Sequence, residues 1–296
     1  MRQPPEKDTA ATPRGRFAPS PTGSLHLGSL VTALASWLDM RTRGGEWLVR
    51  IDDIDPPREV PGAADTILHQ LEVHGLEHDG SPYYQRQRGA AFAEAVETLL
   101  RQGDAFHCAL SRRQLAEYAG VHPGPSVAVG PGPDRAVRLC VPDTPVSFQD
   151  ELQGTVSVCL AREGPFVIRR RDGLFAYQLA SALDEVLLEI TDVMRGADLL
   201  ESTARQLHVL HCLGHRGPRW AHLPLVVDEE GRKLSKSEGA AALAPRDPAA
   251  NLVRALQCLG MVPPPELRGA QPRTVLEWAR EHWQRPTSPA AVRSTS

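Results

Sequence analysis

The chain has 296 residues, with 33 basic and 36 acidic side chains and a formal net charge of −3. Hydrophobic residues at 41 % and charged residues at 23 % are the proportions of a soluble protein with one large or two modest domains. No stretch approaches the ~18 apolar residues of a membrane span, and so mild a net charge excludes a protein that coats nucleic acid along its whole surface. Any RNA has to meet a local basic face.

In chain order, residues 1–13 read as a polar tail without the apolar core of a secretory signal. A short strand at Arg16-Phe17-Ala18 runs into the turn Pro19-Ser20-Pro21-Thr22-Gly23. Leu27, Leu30, Val31, Leu34, Trp37 and Leu38 then recur at helical spacing. Trp47-Leu48-Val49-Arg50-Ile51 reads as a buried strand that ends in the acidic run Asp52-Asp53-Ile54-Asp55. Pro56-Pro57 break the chain before helices near Gly62–His74 and Gly89–Gln102. Strand-helix alternation of this kind predicts a parallel sheet with crossover helices.

The middle of the chain changes character. Four glycines and four prolines between Gly120 and Pro133 predict a surface loop. Strand candidates Val137–Val141 and Thr155–Leu160 flank it without helices between them. Alternation resumes with Phe166-Val167-Ile168, a helix near Tyr177–Glu189, a strand near Ile190–Met194, a helix near Thr203–Leu213 and a strand at Leu223–Val227, followed by further helices after Gly239. The expected division is a tail (1–13), the first half of a Rossmann-like domain (14–100), an inserted subdomain (101–165), the second half (166–240) and a C-terminal helical segment (241–296). Cys108, Cys140, Cys159, Cys212 and Cys258 are odd in number, widely spaced and without a CxxC pair, which points to a reducing cytoplasm.

Two segments carry recognisable chemistry. His26-Leu27-Gly28-Ser29 opens a helix just after a strand and turn, where unpaired N–H groups and the helix dipole suit phosphate. Taken alone it reads equally as a structural turn. Gly231-Arg232-Lys233-Leu234-Ser235-Lys236-Ser237 places two lysines in a polar loop, able to gather around a pyrophosphate leaving group. On its own such a loop is also an ordinary solvated one.

HxGx after the first strand and KxSKS about 200 residues later resemble the paired signatures of class I aminoacyl-tRNA synthetases. RFAPSPTGSLHLGS, WLVRIDDIDPPREVPGAADTIL, RRDGLFAYQLA, MRGADLL and HLPLVVDEEGRKLSKS, in that order over residues 14 to 240, are similar to glutamyl-tRNA synthetases. Only 59 residues follow Ser237, too few for the anticodon-binding region of that family. The chain therefore resembles the glutamyl-queuosine tRNA(Asp) synthetases, which activate glutamate with ATP without tRNA and attach it to queuosine in the anticodon loop. Other readings are a small-molecule nucleotidyltransferase or amino-acid ligase on the same fold, or a non-catalytic RNA-binding paralogue.

The resemblance implies an α/β class I synthetase catalytic domain with a parallel sheet. It puts Arg16, Ser20, Asp52, Tyr177 and Arg195 around glutamate, and Ala18, His26, Gly28, Ser29, Lys233, Ser235 and Lys236 around ATP. Catalysis would rest on His26, Ser29 and Lys236, with Mg2+ on the nucleotide and Lys233 supporting its loop. The expected partners are glutamate, ATP and the queuosine-bearing anticodon stem-loop, with no DNA and no membrane. Asp52 stands where the family has Glu, one methylene longer, so a weakened or water-mediated ammonium contact is expected. Relatives often bind zinc in the insertion through CxC followed by Tyr and Cys. Here Cys108 is followed by Leu110 and only His107 and His122 stand nearby, so no structural zinc is expected. Arg86 with Arg88, Arg112-Arg113 and Arg169-Arg170-Arg171 are the candidate RNA-facing runs.

Overall fold

The computed structural model describes residues 12–118, 121–227, 243, 247–286 and 292–293. The elements that matter for the site are β1 (Arg14–Phe17), α1 (Leu27–Thr42), β2 (Glu46–Ile51), α2 (Ala63–Val73), β3 (Tyr83–Tyr84) and α3 (Gly89–Gln102). They are followed by β4 (Ala105–Cys108), α4 (Arg112–Ala116), β5 (Ala136–Leu139), β6 (Val146–Asp150), β7 (Gly154–Val158) and β8 (Phe166–Arg169). The last part holds α5 (Tyr177–Leu187), β9 (Asp192–Gly196), α6 (Leu200–Cys212), β10 (Arg219–Leu223), β11 (Val226–Val227), α7 (Pro248–Cys258), α8 (Pro272–His282) and β12 (Val292–Arg293).

A seven-stranded sheet in the order β3-β2-β1-β9-β10-β6-β7 forms the frame. Its pairs are parallel except β6–β7, an antiparallel hairpin. From β1 the chain works outward through β2 to β3, then restarts on the other side with β9 and β10. The order therefore reverses between β1 and β9, which leaves a crevice at the carboxyl ends of those strands. A three-stranded antiparallel sheet, β4-β5-β8, stands apart. The stretch 101–165 is thus shared between two sheets: β4 pairs with β5 and β5 with β8 just beyond the stretch, whereas β6 and β7 extend the main sheet.

The expected strand Leu223–Val227 lies elsewhere. β10 occupies Arg219–Leu223, and Val226–Val227 pairs with Val292–Arg293 in a separate two-stranded sheet. Pro224 explains the break, since it has no N–H for a ladder. Strands β3, β4 and β6 have no counterpart among the expected elements, and β12 is a short strand inside the segment 241–296 expected to be helical.

Helix α1 forms because Leu27, Leu30, Val31, Leu34 and Leu38 line one buried side. Against it lie Leu252, Val253 and Leu256 of α7 and Val275 and Leu276 of α8 in one apolar core. Gly15 lets α1 lie close on β1: a Cβ there would sit 2.7 Å from Met40 Cγ. Among the described residues no helix is long and apolar enough to cross a membrane.

Candidate active site

Side chains alternate across a strand, and that alternation builds the site. Trp47, Val49 and Ile51 of β2, Met194 of β9 and Ala221 and Leu223 of β10 belong to the α1 core. Their neighbours Arg50, Arg195 and His222, together with Arg16 of β1, point to the other face, toward α5 and α6, and all are buried. Helix α5 answers with Ser181, Asp184 and Glu185, also buried. Arg16 Nε donates to both Glu185 oxygens at 2.9 and 3.0 Å. Arg50, fully enclosed, donates from Nε to Asp52 Oδ1 at 2.7 Å and from Nη1 to Glu185 Oε1 at 3.3 Å.

These pairings split the carboxylates electrostatically. Burial penalises the charge of Glu185, but the guanidinium groups of Arg16 and Arg50 outweigh it and hold its pKa below the usual range. For Asp184 burial wins over Arg50, Gln85 and Arg88, and the carboxyl is pushed up to about 6.

Arg195 differs from its neighbours. It is 3 % exposed, yet among the described residues no carboxylate lies within 4.0 Å of it. Its Nη1 donates to Tyr177 Oη at 3.3 Å and its Nη2 to Thr203 Oγ1 at 2.7 Å. Its plane covers Trp220 at 4.6 Å from the ring centroid. Burial, with like charges on Arg16 and Arg50 adding to it, lowers its pKa from the ordinary arginine value.

A cleft of about 590 Å3 opens at the carboxyl ends of β1, β9 and β10. Arg16, Ala18, Ser20, His26, Gly28, Ser29, Tyr177 and Arg195, drawn from four segments of the sequence, all line it. His26 is the N-cap of α1, in extended conformation, and its Nδ1 accepts from Ser29 N at 3.3 Å. The neutral ring's proton is then on Nε2. Asp52 is absent from this cleft and lines an adjoining one of about 220 Å3, which shares Ser20, Thr22, Arg58 and Tyr177 with the first. Lys233, Ser235 and Lys236 lie outside the described residues.

A family model described as tRNA synthetases class I (E and Q), catalytic domain, matches residues 13–124 and 129–267. The chain belongs to this family. A Glutamyl-Q tRNA(Asp) synthetase of Ectopseudomonas mendocina is 51 % identical over 271 residues, which is 91 % of this chain and 92 % of that protein. The protein of the same description from Pseudomonas aeruginosa (strain PAO1) matches equally, at 51 % over 271 residues. Among solved structures, a glutamate-tRNA synthetase of Elizabethkingia anophelis is 25 % identical with a TM-score of 0.82, covering 97 % of this chain and 68 % of that one. A glutamate tRNA ligase from Elizabethkingia meningosepticum, in complex with its amino acid, shares the fold at the same TM-score and 24 % identity, over 96 % of this chain and 67 % of its own. The architecture is the class I synthetase fold, and the chain is a ligase of that class.

In this synthetase the basic runs are largely compensated. Arg86 pairs with Asp53 at 3.0 Å and Arg88 with Asp184 at 3.3 Å. Arg170 bridges Asp55 at 3.0 Å and Asp172 at 2.7 Å, while Arg171 donates to the carbonyl of Ala109. Arg113 is exposed on α4. In the insertion, Cys108 Sγ lies 3.0 Å from His122 Nε2, and His122 Nδ1 accepts from Gly124 N at 3.1 Å. Burial beside Arg138 lowers the His122 pKa to about 4. Among the described residues no three His, Cys, Asp or Glu side chains are placed to hold a metal ion.

Sequence reasoning missed Arg50, Asp184, Glu185, His222 and Asp150. One signal was present: a charged residue inside the apolar strand Trp47–Ile51 has to be paired when buried.

Proposed function

We propose that this synthetase activates glutamate with ATP in the absence of tRNA and passes it to queuosine in the anticodon loop of tRNA(Asp). The observation that carries the reading is Arg195, a buried guanidinium without a carboxylate partner among the described residues, lining the cleft beside Tyr177. A cation held out of water with no carboxylate in direct contact is a receptor for one. Across the same cleft, the N-terminus of α1 suits phosphate. The names of the relatives at 51 % identity support the choice of acceptor.

In the first step a glutamate α-carboxylate oxygen attacks the α-phosphorus of ATP in line. The bond from that phosphorus to the bridging oxygen breaks, and pyrophosphate leaves with the electron pair. The acceleration comes from positioning and charge stabilisation. Arg195 and Tyr177 hold the amino acid, with Arg16 and Ser20 behind it. His26 Nε2–H and the first turn of α1 at Gly28 and Ser29 border the nucleotide, next to Ala18, with the Ser29 N–H itself engaged by His26 Nδ1. Lys233, Ser235 and Lys236 are assigned to the phosphates and their loop from the motif alone, and Mg2+ carried by the nucleotide would supply counter-charge to its phosphates. In the second step a queuosine ring hydroxyl oxygen attacks the glutamyl carbonyl, AMP leaves, and the hydroxyl proton passes to solvent. The charge of Asp52 is already shared with Arg50 at 2.7 Å, so it meets the substrate ammonium through water. RNA docks on a local face that includes Arg113, and the five free cysteines suit work in a reducing cytoplasm.

Glutamate-dependent exchange of pyrophosphate into ATP without tRNA tests the first step. Labelled glutamate offered to tRNA(Asp) with and without queuosine tests the second. Periodate-sensitive label on the queuosine form alone is expected, and label on neither RNA would sink the acceptor assignment.

A further inference from the structure

Behind Arg195 lies a pair of buried side chains that the scheme above leaves unused. His222, fully enclosed on β10, is the register partner of Arg195 on β9. Its Nε2 stands 3.0 Å from Arg195 Nε and 3.0 Å from Thr203 Oγ1. An arginine Nε can only donate, so His222 Nε2 carries the lone pair and the ring's proton is on Nδ1. That proton goes to Asp150 Oδ2 at 2.5 Å. Asp150, 1 % exposed, is fixed in turn: its Oδ1 accepts from the backbone N–H of Leu152 at 3.0 Å and Gln153 at 2.9 Å. The carboxylate thus comes from the last residue of β6 and reaches Arg195 only across an imidazole.

We propose that Asp150 and His222 are positioning residues for the substrate: they hold Arg195 by its Nε and offset its charge across one ring, so that its Nη1 edge stays cationic toward a substrate carboxylate. The contrast with Arg16 shows what the spacer achieves. Arg16 Nε is met directly by Glu185, and an ion pair at that distance uses up the attraction a ligand would feel. An imidazole in between fixes direction while leaving the charge available. The inference rests on the carboxylate-binding reading of Arg195 given above.

Glutamate-dependent pyrophosphate exchange on the full chain, with KM for glutamate and for ATP measured separately, tests it with Asp150→Asn, His222→Leu and His222→Gln. The asparagine keeps an oxygen for the backbone N–H groups but turns a donor toward His222, which drives the ring's proton to Nε2, against Arg195. Glutamate KM is expected to rise about tenfold or more in Asp150→Asn and His222→Leu, with ATP KM within about twofold of the parent. His222→Gln, whose amide oxygen can accept from Arg195 Nε, should recover part of that loss. A glutamate KM within about twofold of the parent, or the two KM values rising together, overturns the proposal. Should the variants fail to fold, the ring 15N shifts of His222 in the unmodified chain decide: a protonated Nδ1 with a bare Nε2 upholds it, and the opposite tautomer overturns it. An unmodified chain without glutamate-dependent exchange removes the proposed function and this inference together, whereas an active chain without the KM split removes this inference alone.

Discussion

On β2, Trp47, Val49 and Ile51 pack toward α1, α7 and α8, while Arg50 between them is buried under α5 against Asp52 and Glu185. The same alternation sets Met194 opposite Arg195 on β9, and Leu223 opposite His222 on β10. One face of the sheet is an apolar core. The other carries a smaller apolar cluster, Leu48, Val193 and Trp220 with Leu188 and Ile190, and toward the carboxyl ends of the strands a layer of buried charge. Buried ion pairs commonly stabilise no more than well-packed apolar residues of the same size. The difference teaches that the α1 side is given over to stability, whereas the α5 side gives up part of its packing to keep charges aimed at the cleft.

That division can be broken from either side. Leu34→Ala removes a fully buried side chain of α1 and is expected to cost about 3–4 kcal/mol in a denaturant titration, with glutamate KM unchanged in the folded fraction. A shift in KM would mean that the apolar face also shapes the site. Arg195→Ala should do the reverse, raising glutamate KM about a hundredfold through the loss of a charge-assisted contact. Arg195→Lys should restore only part of this, because an ammonium cannot keep the forked geometry. His26→Ala sits on the boundary. It loses the cap on Ser29 N, worth about 1 kcal/mol in thermal unfolding, and exchange activity should fall with it. An unaltered exchange rate would remove His26 from the phosphate site.

The smallest effect is one of pH. Burial raises the Asp184 carboxyl from 3.8 to about 6, so the folded protein binds this proton more tightly than the unfolded chain. Its contribution is therefore most favourable below 3.8 and is lost as pH rises toward about 6. Asp184→Asn should remove that downward slope from a plot of unfolding free energy against pH. An unchanged slope would show that Arg50, Gln85 and Arg88 already compensate the charge.

Much of the frame was legible in the sequence because its strands and helices carry clear periodicity, as in Trp47–Ile51 and Leu27–Leu38. The short strands were not. In β6, half-buried Val146 and Phe148 do alternate with exposed Ser147 and Gln149, the period of a strand, but the pattern holds only two apolar residues before it ends at Asp150, too short a signal to stand out. Residues at the site were legible where they lie in contiguous motifs, such as His26, Gly28 and Ser29. Their partners were hidden because burial of Asp184 and Glu185 is decided by the packing of α5 on the sheet. The contact between Asp150 and His222 spans 72 positions in sequence and becomes visible only when β6 docks beside β10.

The strand order also bears on how the chain is made. β1 pairs on one side with β2 and on the other with β9, and Arg14 N reaches Thr191 Oγ1 across 177 residues. During synthesis β1 and β2 can pair early, but the second edge of β1 stays bare until β9 has left the ribosome. An uncovered edge is a template for the wrong partner, and parallel pairing at long range forms slowly. The nascent protein is thus most exposed to aggregation through the whole interval in which the insertion is being translated. Slowing translation ahead of β9 should lengthen that exposure.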